Sequence, residues 1–300
     1  MKRRRWLCWL AIVGGPALAA EGRLAPRFKP GQSLVYRVDF GSSRETRTES
    51  RVVVPQGSPI SRLSAAILLQ VRVVEVGAGG ARLETYVSED PRASGQPAGG
   101  GAAPDKRVDV LLGPDGRTSE IRGLEALSAA QQFAWNGWLA RFASSLTYPK
   151  ALRPGQRWEG SEPETAPAPI AGLKWHKRYR YVRDEPCRPG EGAARQPAAE
   201  SCAVVFVEAT LRQTSSPKNS TPPDFKLQNL TTRGVASGQN QTVLYIAKST
   251  GLLVRSSEDA QQAMKVMVAL ADGSNEVRYD MSARSHSQVE LLPDAPEEVR

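Results

Sequence analysis

The sequence predicts a mainly β protein (α+β), with curved antiparallel sheet in two halves and one long helix, at about 124–147, packed against or between them. Three observations carry this. Short segments in which polar and apolar residues alternate recur along the chain, separated by turns rich in Gly, Pro, Asn and Asp. One stretch has a helical period instead. A seven-residue pattern also occurs twice, as Phe28-Lys29-Pro30-Gly31-Gln32-Ser33-Leu34 and as Leu152-Arg153-Pro154-Gly155-Gln156-Arg157-Trp158, each time leading towards a strand pattern. The halves read as 21–158 and 159–300, together one compact domain, after a signal peptide over 1–20.

The signal peptide has a basic start, Lys2 to Arg5, an apolar run from Trp6 to Leu18, and Ala17-Leu18-Ala19 as a small-x-small cleavage signal, so cleavage is expected after Ala19 or Ala20. The whole chain carries 40 Lys and Arg against 31 Asp and Glu; without the four leader bases the net charge falls from +9 to about +5. The bases are scattered, which argues against nucleic acid as a partner. No later apolar run has the roughly 18 residues of a membrane-spanning helix. The destination is periplasmic or secreted. Cys187 and Cys202 flank a Pro/Gly/Ala-rich loop between strand patterns, and in an oxidising compartment they read as one disulfide.

Leu34, Tyr36, Val38 and Phe40 alternate with polar residues as a half-buried strand, with 45–54 expected as its neighbour and a break at Pro55-Gln56-Gly57. Residues 63–76 and 81–88 flank four small residues and read as a hairpin. Residues 90–105 are low-complexity Pro, Gly and Ala. Residues 108–112 and 117–121 flank Gly113-Pro114-Asp115-Gly116, a second hairpin. Ser128 and Gln131 then form a capping box. Trp135, Trp138, Leu139, Phe142 and Leu146 follow at spacings of three and four, and Tyr148-Pro149 should end the helix. Phe133 lies off that stripe.

In the second half, 160–171 reads as a Pro/Ala/Glu linker. Residues 174–182 form a strand with Lys174, His176, Arg178 and Arg180 on one face, either a solvated face or charged edge guarding against aggregation, or an anion or lipid-headgroup contact. Residues 203–211 form a strand and 213–224 a loop. Residues 231–236 and 241–248 are expected as a hairpin about Ser237-Gly238-Gln239-Asn240. Strands at 252–258 and 264–270 follow, then a return strand from Val277 across Asp272-Gly273.

Ser215-x-x-Lys218 with Lys248-Ser249-Thr250-Gly251 has the letters of penicillin-recognising serine enzymes, but the serine lies in a Pro-rich loop and the motifs are too close together. His176 and His286 have no triad or metal-ligand setting. No metal, cofactor or catalytic residue is assigned, and the chain is read as not an enzyme. A carboxylate pair for glycoside hydrolysis is the minor catalytic reading.

Phe28, Pro30, Gly31, Tyr36, the Gly113–Gly116 turn, Ile121 and the Leu152–Trp158 segment together resemble exported bacterial β-proteins of the domain-of-unknown-function type. The architecture is also loosely similar to the envelope lipoprotein carriers, whose curved half-barrel is closed by helices around an apolar cavity. The expected function is therefore a non-catalytic exported envelope protein, binding an apolar or lipid-like ligand between sheet and helix through Phe133, Trp135, Trp138 and Phe142. The alternative is a structural or adaptor protein that binds another envelope protein and has no ligand cavity.

Overall fold

A computed structural model describes residues 24–50, 59–94, 106–114, 116–144, 152–164, 168–188 and 200–293. The leader, Pro55-Gln56-Gly57, Leu146 and Tyr148-Pro149 lie outside them. Eleven strands form one antiparallel sheet, mainly β as its alternating segments require: β1 (Ser33–Ser50), β2 (Ile60–Gly77), β3 (Gly80–Glu89), β4 (Lys106–Leu112), β5 (Thr118–Arg122), β6 (Arg157–Pro163), β7 (Leu173–Pro186), β8 (Ser201–Gln213), β9 (Leu230–Ala247), β10 (Leu253–Leu270) and β11 (Val277–Leu291). Among the described residues the helices are α1 (Pro91–Ser94), α2 (Ala129–Ser144) and α3 (Pro223–Leu227), with one 3₁₀ turn at Leu124–Ala126.

The strand order is β5-β4-β3-β2-β1-β11-β10-β9-β8-β7-β6. Neighbouring strands are consecutive in the chain except at β1–β11, where the first strand pairs with the last. The sheet does not close: β5 and β6 are its two edges, and the chain between them carries α2. The helix packs on β2, β1 and β11. Its residues share one apolar cluster with side chains from β3 and β4 on one side and β7 and β8 on the other, so the sheet curls around the helix.

The repeated Pro-Gly-Gln segments make the same local structure. Gly31 N–H donates to Val73 O at 2.8 Å and Val73 N–H to Gln32 O at 2.9 Å, while Gly155 N–H donates to Tyr181 O at 2.7 Å and Tyr181 N–H to Gln156 O at 2.9 Å. In each turn the glutamine Oε1 accepts from the backbone three residues back, Lys29 or Arg153, at 3.1 Å. Both glycines have left-handed φ, 77° and 88°, a conformation open to glycine. Each turn is held by a strand residue at a register shift, Val73 in β2 and Tyr181 in β7.

Several boundaries differ from expectation. Residues 45–50 continue β1 instead of forming its neighbour, because β2 and β11 pair with both sides of it past Gly41. Asp90 is buried and accepts from Arg37 Nε at 2.8 Å. The expected linker begins inside β6, where Gly160 pairs with Lys177. Ser237-Gly238-Gln239-Asn240 is not a turn but the middle of β9, paired on both sides. The lack of a side chain at Gly238 serves packing: a Cβ there would lie 3.1 Å from the Trp175 ring. Likewise 252–258 and 264–270 are one strand, β10. The capping box forms as read, with Ser128 N–H donating to Gln131 Oε1 at 3.0 Å and Gln131 N–H to Ser128 Oγ at 3.3 Å. The helix starts there and not near 124, since Leu127 is extended and separates it from the 3₁₀ turn.

Candidate functional site

The strand registers sort the helix-facing side of the sheet into cross-strand rows. One row runs Val38, Val289, Ser256, Leu244, Val205 on β1, β11, β10, β9 and β8. The next runs Phe40, Ser287, Glu258, Thr242, Val207, then Tyr179 on β7. A third is made of small or polar side chains: Ser42, Ser285, Ala260, Asn240 and Ala209, with Lys177 beyond. Past Arg44, Ala283, Gln262 and Gly238, apolar residues return: Met281, Met264 and Ala236, then Tyr279 and Val266.

The helix covers the first rows only. Trp135 and Trp138 are wholly buried, and Phe142 almost so. They contact one another and Tyr36: Trp135–Trp138 ring centroids are 6.2 Å apart, Trp138–Phe142 5.5 Å and Tyr36–Trp138 5.7 Å. These three predicted ligand residues are brought together as a packed core. Trp135 Nε1–H donates to Thr85 Oγ1 at 2.9 Å, whose own hydroxyl donates to Val108 O at 2.8 Å. Phe133 lies apart, 44% exposed, its ring stacked on Phe40 at 5.8 Å and 5°. That pair stands where the covered core ends and the small-residue band begins.

A polar set sits at the same border. Arg141, 4% exposed, reaches Glu258 with Nη2 3.4 Å from Oε1. Thr242 Oγ1 donates to Glu258 Oε2 at 3.1 Å. The hydroxyls of Ser256 and Ser287, on the strands beneath the helix, are buried without a hydrogen-bond partner among the described residues, as are Tyr36 OH and Trp138 Nε1. Burial pushes the Tyr36 phenol well up from its ordinary value. The second apolar zone is a separate cluster around Ile170, Leu173, Leu211 and Val266, with Trp175, Met264, Val268, Tyr279 and Met281 only half-buried against it. Trp175 Nε1–H donates to Glu164 Oε2 at 2.7 Å, which fixes the ring across Gly238.

Helical periodicity located Trp135, Trp138 and Phe142, with Phe133 off the stripe, but not Phe40, Ser256, Glu258 or Ser287, which meet only through strand register. One signal was present: Arg141 lies one turn from Trp138 on an otherwise aromatic stripe, a charge where the pattern expects an apolar side chain. The basic face of β7 is largely compensated locally. Arg178 pairs with Glu208 at 3.3 Å, His176 with Glu159 at 3.5 Å, and Arg180 lies over the Phe206 ring at 5.7 Å. An open depression of about 650 Å³ crosses β1, β11, β10 and β9 beside the His286–Asp259 contact, and its lining includes Ser42, Ala260 and Ser285.

Cys187 and Cys202 form a disulfide, which indicates an oxidising compartment. Beside it, Asp184 accepts from Tyr181 OH and from Lys248 Nζ, the latter at 2.8 Å. Desolvation opposes the charged Asp184, but the Lys248 and Tyr181 hydrogen bonds prevail and hold its carboxyl below the ordinary range. Desolvation and the Asp184 bond push the Tyr181 phenol up. Among the described residues no group of three or more His, Cys, Asp or Glu is placed to hold a metal ion, and no helix is long and apolar enough to cross a membrane.

No family model and no curated protein matches this chain. Among solved structures, the outer membrane protein OprG from Pseudomonas aeruginosa aligns over 90% of this chain and 99% of its own at 9% identity, with a TM-score of 0.20. A structure from work on asymmetric conductivity of engineered proteins aligns over 87% and 100% at 8% identity, TM-score 0.20. An outer membrane channel from Pseudomonas putida F1 aligns over 89% and 97% at 9% identity, TM-score 0.19. At such TM-scores the likeness carries no argument about this chain.

Proposed function

We propose that this chain is a non-catalytic protein of the cell envelope, exported by its leader, that binds an apolar or lipid-like ligand on the concave side of the sheet beside α2. One observation carries the reading. The helix fills only part of the concave face, and below it a band of small side chains, Ser42, Ser285 and Ala260, runs between the Phe40–Phe133 stack and the half-buried Met281, Met264 and Trp175. Small residues let a ligand approach the strands, while aromatic and methionine side chains supply adaptable apolar contact. The unclosed curved sheet with a helix inside also suits the architectural likeness to the envelope carriers. On this reading Phe133 touches ligand, and Trp135, Trp138 and Phe142 shape the wall behind it.

The first test is native mass spectrometry of mature protein from an exporting host, with solvent extraction, followed by titration with the apolar fluorophore N-phenylnaphthylamine. Co-purified lipid and saturable probe binding are expected. Ala260→Trp should fill the band and weaken the probe about tenfold, or ~1.4 kcal/mol, while Ala263→Trp, on the exposed outer side of the same strand, leaves it unchanged. A clean apo mass with no probe binding refutes the reading. The alternative then stands: an adaptor for another envelope protein, which the tightly packed helix core favours.

A further inference from the structure

We infer that the ligand of this trough is a neutral amphiphile carrying an ester or amide carbonyl, and not a free carboxylic acid or other anion. This rests on the binding reading above and narrows its chemistry. Charge comes first. The charged side chains that flank the band on the concave face come as pairs, Arg141 with Glu258 and Lys177 with Glu162. Each pair already sums to zero. An anion brought against Arg141 would meet Glu258 as well, and a buried charge without its own counter-ion is strongly disfavoured. Arg44, two rows below Phe40, is exposed and solvated, so water weakens its pull on an anion.

Two of the unpartnered groups, unlike Tyr36 OH and Trp138 Nε1 in the aromatic core, are serine hydroxyls on the strands that carry the band. Ser256 and Ser287 are 5% and 4% exposed, and neither Oγ has a hydrogen-bond partner among the described residues. They lie on adjacent strands: Ser287 is directly opposite both Glu258 and Phe40, and Ser256 is directly opposite Val289, two residues along from Ser287. Buried hydroxyls are normally satisfied, so Ser287, in the row that borders the band, marks a place where a partner belongs, with Ser256 one row further under the helix. A carbonyl oxygen accepts a hydrogen bond and carries no charge, which fits the Ser287 hydroxyl at the edge of the covered rows. From Ser287 the concave face of β11 runs through Ser285 and Ala283 to Met281, six residues or about 20 Å at strand spacing. An acyl chain attached to a carbonyl held at Ser287 would follow that line to the methionines.

The probes are cis-parinaric acid and its methyl ester, which share one chain and differ only at the carbonyl group, titrated at pH 7 into intact mature protein. The ester should bind at least tenfold more tightly than the acid. The Ser256→Ala/Ser287→Ala double variant should lose about tenfold in ester affinity and keep acid affinity within about twofold. Its thermal midpoint should rise, because removing buried unsatisfied hydroxyls relieves the folded state. Acid binding as tight as the ester, or ester binding unchanged in the double variant, overturns the neutral-carbonyl inference and leaves the binding reading standing. Binding of neither probe overturns both.

Discussion

Thr85→Val tests whether α2 is fixed to the sheet by a specific buried contact or only by apolar area. Thr85 is fully buried on β3, directly opposite Val108 on β4. Its hydroxyl accepts from Trp135 Nε1–H and donates to Val108 O. Valine keeps the shape and removes both bonds. The indole N–H, on a ring with no exposed surface, then has no acceptor in reach. Losing a neutral bond costs about 0.5–1.5 kcal/mol, and stranding a buried donor about 1–3 kcal/mol. Val108 O faces the same loss, so the expected total is about 2–4 kcal/mol. Trp135→Phe removes the stranded donor, so in the double variant the two effects should be less than additive by about 1 kcal/mol. The assay is equilibrium urea unfolding by far-UV circular dichroism, with the disulfide intact. A Thr85→Val cost below about 0.5 kcal/mol, or full additivity with Trp135→Phe, would refute this account and leave packing alone to hold the helix.

Gly238→Val should destabilise by about 1–3 kcal/mol through overpacking, since even a Cβ meets the Trp175 ring at 3.1 Å and Gln261 O at 3.2 Å; a changed near-UV signal from Trp175 would report it, and a neutral effect would show that the ring moves freely. Opening the disulfide by Cys187→Ser/Cys202→Ser removes a closure over a sequence separation of 15. About 3 kcal/mol should be lost in urea unfolding, and retention of full stability would mean that the loop is constrained by other means. Asp184 has a folded pKa below its ordinary value, so its contribution is present above the unfolded carboxylate range, about 3.9, and is lost as pH falls through the lower folded value. Asp184→Asn should therefore lower stability at pH 6 and flatten the acid limb below about pH 4; an unchanged acid limb would show that Lys248 does not hold this carboxylate.

What was legible in the sequence was local. The capping box, the aromatic stripe, both early hairpins and the cysteine pair each depend on residues within a turn or a loop of one another. Errors came where tertiary pairing overrides local signals. Ser237-Gly238-Gln239-Asn240 has turn composition, yet two neighbouring strands satisfy its backbone on both sides, and Gly238 is there for Trp175. Likewise 259–263 of β10 is polar enough to look like a break, but β9 and β11 flank it. The candidate site was the least legible part. Ser287 and Glu258 meet across the long β10–β11 hairpin and Phe40 joins them from the other end of the chain, so no short window contains them.

The two Pro-Gly-Gln turns do one mechanical job in unequal settings, and the difference explains where the core sits. At β1, a central strand, β2 and β11 already hold the chain on both sides. At β6, an edge with β7 as its only strand partner, the Gly155 and Gln156 backbone bonds to Tyr181 add to a short seven-residue ladder. The Trp158 ring, stacked on Tyr179 at 5.2 Å and 1°, adds apolar contact. Edge strands with few bonds fray and recruit other chains, so the turn is worth most there. Both turns are hydrogen-bonded to strand residues of the helix-bearing cluster, Val73 and Tyr181. The chain thus enters β1 and β6 at the packed end of the curled sheet, and the band of small side chains lies away from the turns. Tight fastening at one end leaves the middle of the concave face as the part least committed to the protein's own core, and it is this part that the proposed ligand would occupy.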